Sequence, residues 1–350
     1  MDLDQLCEHL SEASSTLEPN DGTLAWPHQQ LRWCAEAGVF RWFVPVEYGG
    51  WAWGEREQLE GYLAISQACL TTAFVLTQWN AACKRIVQSR NAVIRDRYLS
   101  SLAGGEIFTT VGISHLTTSR QHLKTPVLRA QEHPDGSYTL DGFSPWVTGA
   151  AVADLLVVGA TLVDGRQCLC AVPRTRDGVQ PAAATQLVAL SASQTGAVHF
   201  DQVNVQSDEI IAGPSAEVMQ SGSGGGAGGL QTSTLAIGLT FAAVKFLQAE
   251  AATRGDLVGV AAKLRADVEL LRTRLLGLAE GNAEVTAGKL REQSNSLVLR
   301  ATQAALVAAK GAGFVAEHPA SRYCREALFF LVWSCPQPVL AANLCEFAQV

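Results

Sequence analysis

Between residues 107 and 210 the chain changes its periodicity. IFTTVGIS, VLRAQ, SYTLDGF, DLLVVGATLV, QCLCAVP and GAVHFDQVNV are short β-type runs, separated by turn pairs at Asp135-Gly136, Asp164-Gly165 and Asp177-Gly178. On both sides of this stretch apolar residues recur at three- and four-residue spacing, the mark of amphipathic helices. A chain with this order must place a β-domain between two helical regions. The β-run spacing predicts a compact barrel or sandwich of roughly 100 residues. The expected architecture is α+β: an N-terminal helical domain (1–106), a central β-barrel domain (107–212) and a C-terminal four-helix bundle (213–350).

In the first region LDQLCEHLSEA and LAWPHQQLRWCAEAGVF read as helices, broken by Asn20, Asp21 and Gly22. Pro45 and Gly49-Gly50 force an irregular loop. The long apolar run EQLEGYLAISQACLTTAFVLTQWNAACKRIV predicts a helix buried on most faces and split near Leu70-Thr71-Thr72. RDRYLSSLAGGE predicts a short helix stopped by Gly104-Gly105. After the β-region, QSGSGGGAGGLQ (220–231) reads as a flexible linker, with phosphate cradling at the start of the next helix as the alternative. Ala-rich helices with small residues at their seams then predict close packing in a bundle.

Composition narrows the functional classes. The chain has 350 residues, 48% hydrophobic and 17% charged, with a net charge of −7. An acidic chain without a dense basic cluster argues against nucleic acid as a partner. The low charge density suits surface hidden in an oligomer. No run of roughly 20 apolar residues appears, so no membrane span is expected. The acidic start MDLDQLCEHL does not read as a secretory signal, and nine scattered cysteines read as reduced thiols, so a cytoplasmic location is expected. Cys168 and Cys170 alternate on one strand and face the same side. No His/Cys/carboxylate cluster has metal-ligand spacing.

The stretch DGFSPWVTGAAVADLLVVGA (141–160) carries the chemistry. An Asp-Gly turn leads to Trp146, Val147 and Thr148, and a small-residue loop leads on to an apolar strand. An indole face with a hydroxyl two residues on suits a flat heteroaromatic cofactor, stacked on one side and hydrogen-bonded at one edge. The same residues also suit a core tryptophan and a turn-capping threonine.

In this order, the motifs resemble the acyl-CoA dehydrogenase family over nearly the whole chain. VPVEYGG (44–50) is similar to a family loop, and VGIS (111–114) sits where the family has a flavin-contacting Thr-Glu segment. DGFSPWVTGAAVADLLVVGA is similar to its flavin-stacking strand. SASQTGAVHFDQVNV (191–205) and KGAGFVAEHPASRYCREA (310–327) follow in sequence. The resemblance implies FAD as cofactor. Trp146 would pack on the isoalloxazine and Thr148 would bond its reactive edge. Backbone groups around Val111–Ser114 would meet the pyrimidine side, with the Ser114 hydroxyl as a donor. It also implies α,β-oxidation of an acyl thioester such as an acyl-CoA, by an oxidoreductase acting on CH–CH groups, and assembly as a homodimer or homotetramer.

The chain departs from that pattern where the chemistry is done. Ser334, in FLVWSCPQP, falls on the place of the family's catalytic Glu, and the helix start TSTLAIG lacks its pyrophosphate-binding Arg. His115 stands where the family has Glu. Glu326, His115, Glu317 and His318 are the candidate relocated bases, with Glu326 expected to be structural. Arg322 and Arg325 are expected to make ion pairs with Glu317 or Glu326, with neutralising an anionic group as the alternative. Three functions follow: an acyl-CoA dehydrogenase-like enzyme with a relocated base, a reduced-flavin-dependent monooxygenase of the same fold, or a non-catalytic scaffold or partner subunit.

Overall fold

The computed structural model describes residues 1–17, 25–117, 126–220, 229–282 and 284–349. The break at Asn20-Asp21-Gly22 and most of the Gly/Ser run at 220–231 lie outside the described residues.

Five helices come first: α1 (Leu3–Ala13), α2 (His28–Glu36), α3 (Glu55–Ala68), α4 (Leu70–Val87) and α5 (Ala92–Gly104). Asp2 and Gln5 close a reciprocal capping box on α1, which satisfies two of its free amide groups. The expected split in the long apolar run falls at Cys69, whose extended backbone (φ −155°, ψ 106°) separates α3 from α4. Gly105 ends α5 in the left-handed region (φ +70°), with its N–H bonded back to Leu102.

The strands are β1 (Thr109–Gly112), β2 (Leu128–Glu132), β3 (Tyr138–Val147), β4 (Leu155–Leu162), β5 (Gln167–Pro173), β6 (Val179–Pro181), β7 (Gly196–Val205) and β8 (Ile210–Ser215). They form one mixed sheet in the order β6-β7-β3-β2-β4-β5-β8, with β1 added in parallel against β4. A one-turn helix, α6 (Ser114–Thr117), follows β1. The run LLVVGA in β4 is continuously apolar because both of its faces are covered. Leu155 and Val157 pack with the helices of the first region, while Leu156 and Val158 pack inside the β-domain with Val147 and Val198.

The last region holds α7 (Leu230–Ala251), α8 (Val258–Ala279), α9 (Ala287–Ala309), α10 (Pro319–Ala327) and α11 (Gln337–Ala348). With its 22 residues, α7 is long and apolar enough by composition to cross a membrane, which the sequence reading had not picked out. Its face is spent on protein instead: 78% of its apolar window is buried, against α3, α8 and α9. Gly238 makes the α3 crossing close, since a β-carbon there would lie 1.8 Å from Ser66 Oγ.

Candidate functional site

The site is built where β3 ends beside β1. Between Ser144 and Val147 the pairing with β7 carries one extra residue on β3, a bulge. Pro145, which has no N–H to give to a ladder, sits in it. The bulge re-aims Trp146, whose ring is 49% exposed although its neighbours Pro145 and Val147 are buried. Thr148 is only 2% exposed. Its Oγ1 lies 2.9 Å from Thr195 Oγ1, which is in turn 2.9 Å from Ser193 Oγ. Gly149 then turns the chain at φ +64°, and its N–H donates to the carbonyls of Ser193 and Gln194. The SASQT segment is thereby locked against the end of β3.

β1 supplies the other side. Val111 is buried on the face shared with the N-terminal helices. Gly112 permits close approach to β3: a β-carbon there would stand 2.8 Å from Ser144 Oγ and 3.2 Å from Val147 Cγ2. This contact joins the Val111–Ser114 stretch to the Trp146–Thr148 stretch. Ser114 Oγ is buried and has no hydrogen-bond partner among the described residues.

His115 is 9% exposed. On one edge of β4, β1 pairs Leu155–Val158 and β2 pairs Thr161 and Leu162, which leaves Gly159 and Ala160 between them. His115 Nε2 fills that gap, 2.7 Å from the Gly159 carbonyl oxygen. A carbonyl only accepts, so Nε2 carries the proton and Nδ1 is left as a lone pair. Nδ1 is buried without a partner among the described residues. Burial pushes the imidazole pKa down, with the Gly159 carbonyl acting in the opposite sense, so the ring is held neutral.

The segment where the family carries its base is different in kind. After α10 the chain makes a tight turn at Leu328–Leu331 and reaches Ser334 at φ +47°. Phe74, Phe329 and Trp333 form an aromatic cluster, with Phe329 stacked on Trp333 at 4.8 Å and Phe74 edge-on to both. The buried Arg291 guanidinium donates to the Trp333 carbonyl at 2.9 Å, and Asn295 donates to the Phe330 carbonyl at 3.1 Å, fixing the turn. Burial pushes the Cys335 thiol up, so it is protonated and is no base.

The other candidate bases are dispersed. Glu317 is exposed, and His318 caps α10 by accepting from the Ala320 N–H. Glu326 is 4% exposed and pairs with Arg322 at 3.8 Å, the ion pair expected from sequence. Arg325 donates to Ser321 Oγ and the Ala316 carbonyl. Cys168 and Cys170 share a side of β5, with sulfurs 3.8 Å apart. No group of three metal-ligating side chains occurs among the described residues.

A half-exposed indole at Trp146, and a hydroxyl at Ser114 and an imidazole nitrogen at His115 that lack partners among the described residues, are groups of the kinds a flavin ring takes. The fit weakens toward the diphosphate. From Leu230 to Val244 α7 carries no cation, its first basic residue being Lys245.

Helices, a central mixed sheet and a second helical region in this order are the acyl-CoA dehydrogenase fold. Over 99% of its length the chain superposes on butyryl-CoA dehydrogenase from Megasphaera elsdenii, covering 96% of that chain with a TM-score of 0.84 and 16% identity. A dibenzothiophene monooxygenase from Paenibacillus, solved with FMN and indole, is matched over 98% of this chain and 94% of the other, at a TM-score of 0.79 and 17% identity. In sequence the chain is 26% identical over 190 residues to dibenzothiophene monooxygenase from Rhodococcus erythropolis, covering 52% of this chain and 44% of the relative. The chain spans about half the length of the curated relatives it matches, 44% in this case and 56% in another. Residues 8–106 match the family model described as acyl-CoA dehydrogenase, N-terminal domain. Residues 8–106 thus match the family's N-terminal domain, and the chain as a whole has the acyl-CoA dehydrogenase fold.

Proposed function

We propose that this chain is a flavin-dependent oxidoreductase that works as a monooxygenase, with reduced flavin and O₂ as co-substrates. The carrying observation is the 328–335 segment. A dehydrogenase of this family needs a carboxylate to take the α-proton of an acyl thioester. Here that place holds Ser334 beside an aromatic cluster, and the buried acid nearby in sequence, Glu326, is engaged with Arg322. Oxygen chemistry on reduced flavin needs a dry cavity more than a base. The lack of a cation at the start of α7 supports the same reading: a flavin held chiefly by its ring is one that exchanges between turnovers.

When bound, the flavin supplies two electrons, so that one atom of O₂ enters the substrate and the other leaves as water. The protein's part is to bind and to exclude. Trp146 offers its face to the ring, the Ser114 hydroxyl meets a polar ring edge, and Val111 closes the apolar side. Thr148 acts at the site through its hydroxyl chain with Thr195 and Ser193. FAD and FMN both suit a ring-centred site, and the substrate is a small organic molecule.

Dehydrogenation of a CH–CH bond in an acyl thioester, including acyl-CoA, is the second reading. The N-terminal domain match and the neutral His115 ring favour it. Leu340, Leu344 and Phe347 share one exposed side of α11, which supports a homo-oligomer. One experiment separates the readings. Flavin-loaded protein is mixed anaerobically with acyl-CoAs, and reduced-flavin-loaded protein is mixed with O₂ and aromatic heterocycles. Bleaching in the first arm selects the dehydrogenase. Oxygenated product in the second selects the monooxygenase. A protein that takes up no flavin sinks both and leaves a scaffold.

A further inference from the structure

We infer that Cys168 and Cys170 form a peroxide-driven switch: oxidation joins them as a disulfide within β5, and the strand passes the change through β4 to α6. The inference goes beyond the flavin reading and does not rest on it. All nine cysteines are free. These two stand two residues apart on β5, so their side chains point to the same side, and their sulfurs are 3.8 Å apart. The Cys170 thiol donates to the Cys168 sulfur, and so does the Ala160 N–H; together they hold the Cys168 pKa below that of an ordinary thiol, against the opposing effect of burial. Cys168 is thus the attacking sulfur and Cys170 the resolving one.

Both side chains are fully buried in the core that holds Tyr138, Val158 and Ala160. Burial selects the oxidant: a small neutral molecule, H₂O₂, enters such a core when the strand at the end of the sheet, β8, opens locally, and a bulky disulfide does not. The Cys168 thiolate attacks one peroxide oxygen, the O–O bond breaks, and the other oxygen leaves as water with the proton that Cys168 gave up. Cys168 is now a sulfenic acid. The Cys170 sulfur attacks the Cys168 sulfur, the S–O bond breaks, and the Cys170 proton leaves with the hydroxide as a second water. The two thiols have lost two electrons, and one H₂O₂ has become two waters.

The consequence follows from strand geometry. Two residues of extended strand rise about 6.6 Å, whereas a disulfide most often spans about 5.5–6 Å between Cα atoms, so closure draws the two residues together by roughly 1 Å and pushes Leu169 out of line. β8 does not hold Leu169 in place, because its pairing with β5 shifts register on both sides of that residue. β4 pairs in unbroken register through the same point, Ala160 with Cys168, Gly159 with Leu169 and Val158 with Cys170. α6 rests on Gly159: a β-carbon there would lie 2.4 Å from Leu116 Cδ1 and 3.3 Å from Leu169 Cδ2, and the Gly159 carbonyl holds His115 Nε2 at 2.7 Å. Moving Leu169 therefore moves the seat of α6.

The test treats the purified full chain with H₂O₂, then denatures, alkylates and digests it with trypsin. Cys168 and Cys170 fall in one peptide, Gln167–Arg174. That peptide is expected to lose two hydrogens and to escape alkylation, and to regain both alkyl groups after reduction with a phosphine. Amide hydrogen exchange of the folded protein, read by mass spectrometry over α6 and β4, is expected to quicken on oxidation, to return on reduction and to stay unchanged in peroxide-treated Cys168→Ala. Should Cys168→Ala not fold, the return on reduction of the wild type carries the comparison. A peptide that stays doubly alkylated after H₂O₂, or that gains oxygen instead of losing hydrogen, overturns the inference. A disulfide that leaves exchange in α6 and β4 unchanged overturns it equally.

Discussion

Replacing Gly112 by Ala tests whether the two halves of the site depend on one backbone contact. The new methyl would stand 2.8 Å from Ser144 Oγ, 3.2 Å from Ser144 Cβ and 3.2 Å from Val147 Cγ2. Ser144 and Val147 are both fully buried, so neither side chain has room to give. Overpacking of this kind costs about 1–3 kcal/mol. Gly112 does not sit at positive φ, so Ala recovers about 0.4–1 kcal/mol by stiffening the unfolded chain. The net loss is about 1–2 kcal/mol, read as a lower urea midpoint. Flavin affinity should fall with it, because β1 must move away from β3 and carries Val111 and Ser114 along. Gly255→Ala is the control: nothing lies within 4 Å of a β-carbon there, and a change within about 0.5 kcal/mol is expected. A Gly112→Ala protein as stable as the wild type, with unchanged flavin affinity, would refute the reasoning.

Trp146→Ala removes a half-exposed ring, so stability should stay within about 0.5 kcal/mol while flavin affinity drops at least about tenfold; thermal melts and flavin titration read the two separately. Thr195→Val deletes the middle of the Thr148–Thr195–Ser193 chain and strands two buried hydroxyls, a loss of about 1–3 kcal/mol in urea unfolding. His115 has its folded pKa pushed below the unfolded value of about 6.5, so the unfolded chain takes the proton first. Its contribution is therefore full above pH about 6.5 and is lost as pH falls from there through the depressed folded pKa. Urea midpoints of wild type and His115→Gln between pH 7.5 and pH 5 (about one unit either side of that value) should diverge, the wild type falling faster; parallel curves would contradict this.

Much of the architecture was written in periodicity. The helix–β–helix order, the split of the long apolar run at Cys69 and the stop at Gly105 were all legible, because each rests on local pattern or local backbone chemistry. β6 and β8 were not: VQP has three residues, and IIAGPS contains Gly213-Pro214, so neither gives an alternation long enough to read. α7 looked like an ordinary bundle helix, and only packing reveals why it is apolar all round. At the end of β3 the sequence singled out Trp146 and Thr148. The partner of Thr148 was not legible, since Thr195 lies 47 residues away. The role of His115 was equally hidden. It depends on a two-residue gap between β1 and β2 on the edge of β4, a matter of register rather than composition.

The most direct test of the account is an equilibrium titration of the purified chain with FMN and FAD, oxidised and reduced, alongside Trp146→Ala. Saturable binding by the wild type, weakened at least about tenfold in the variant, is the predicted result. A folded wild-type protein that binds neither flavin in either redox state would contradict it.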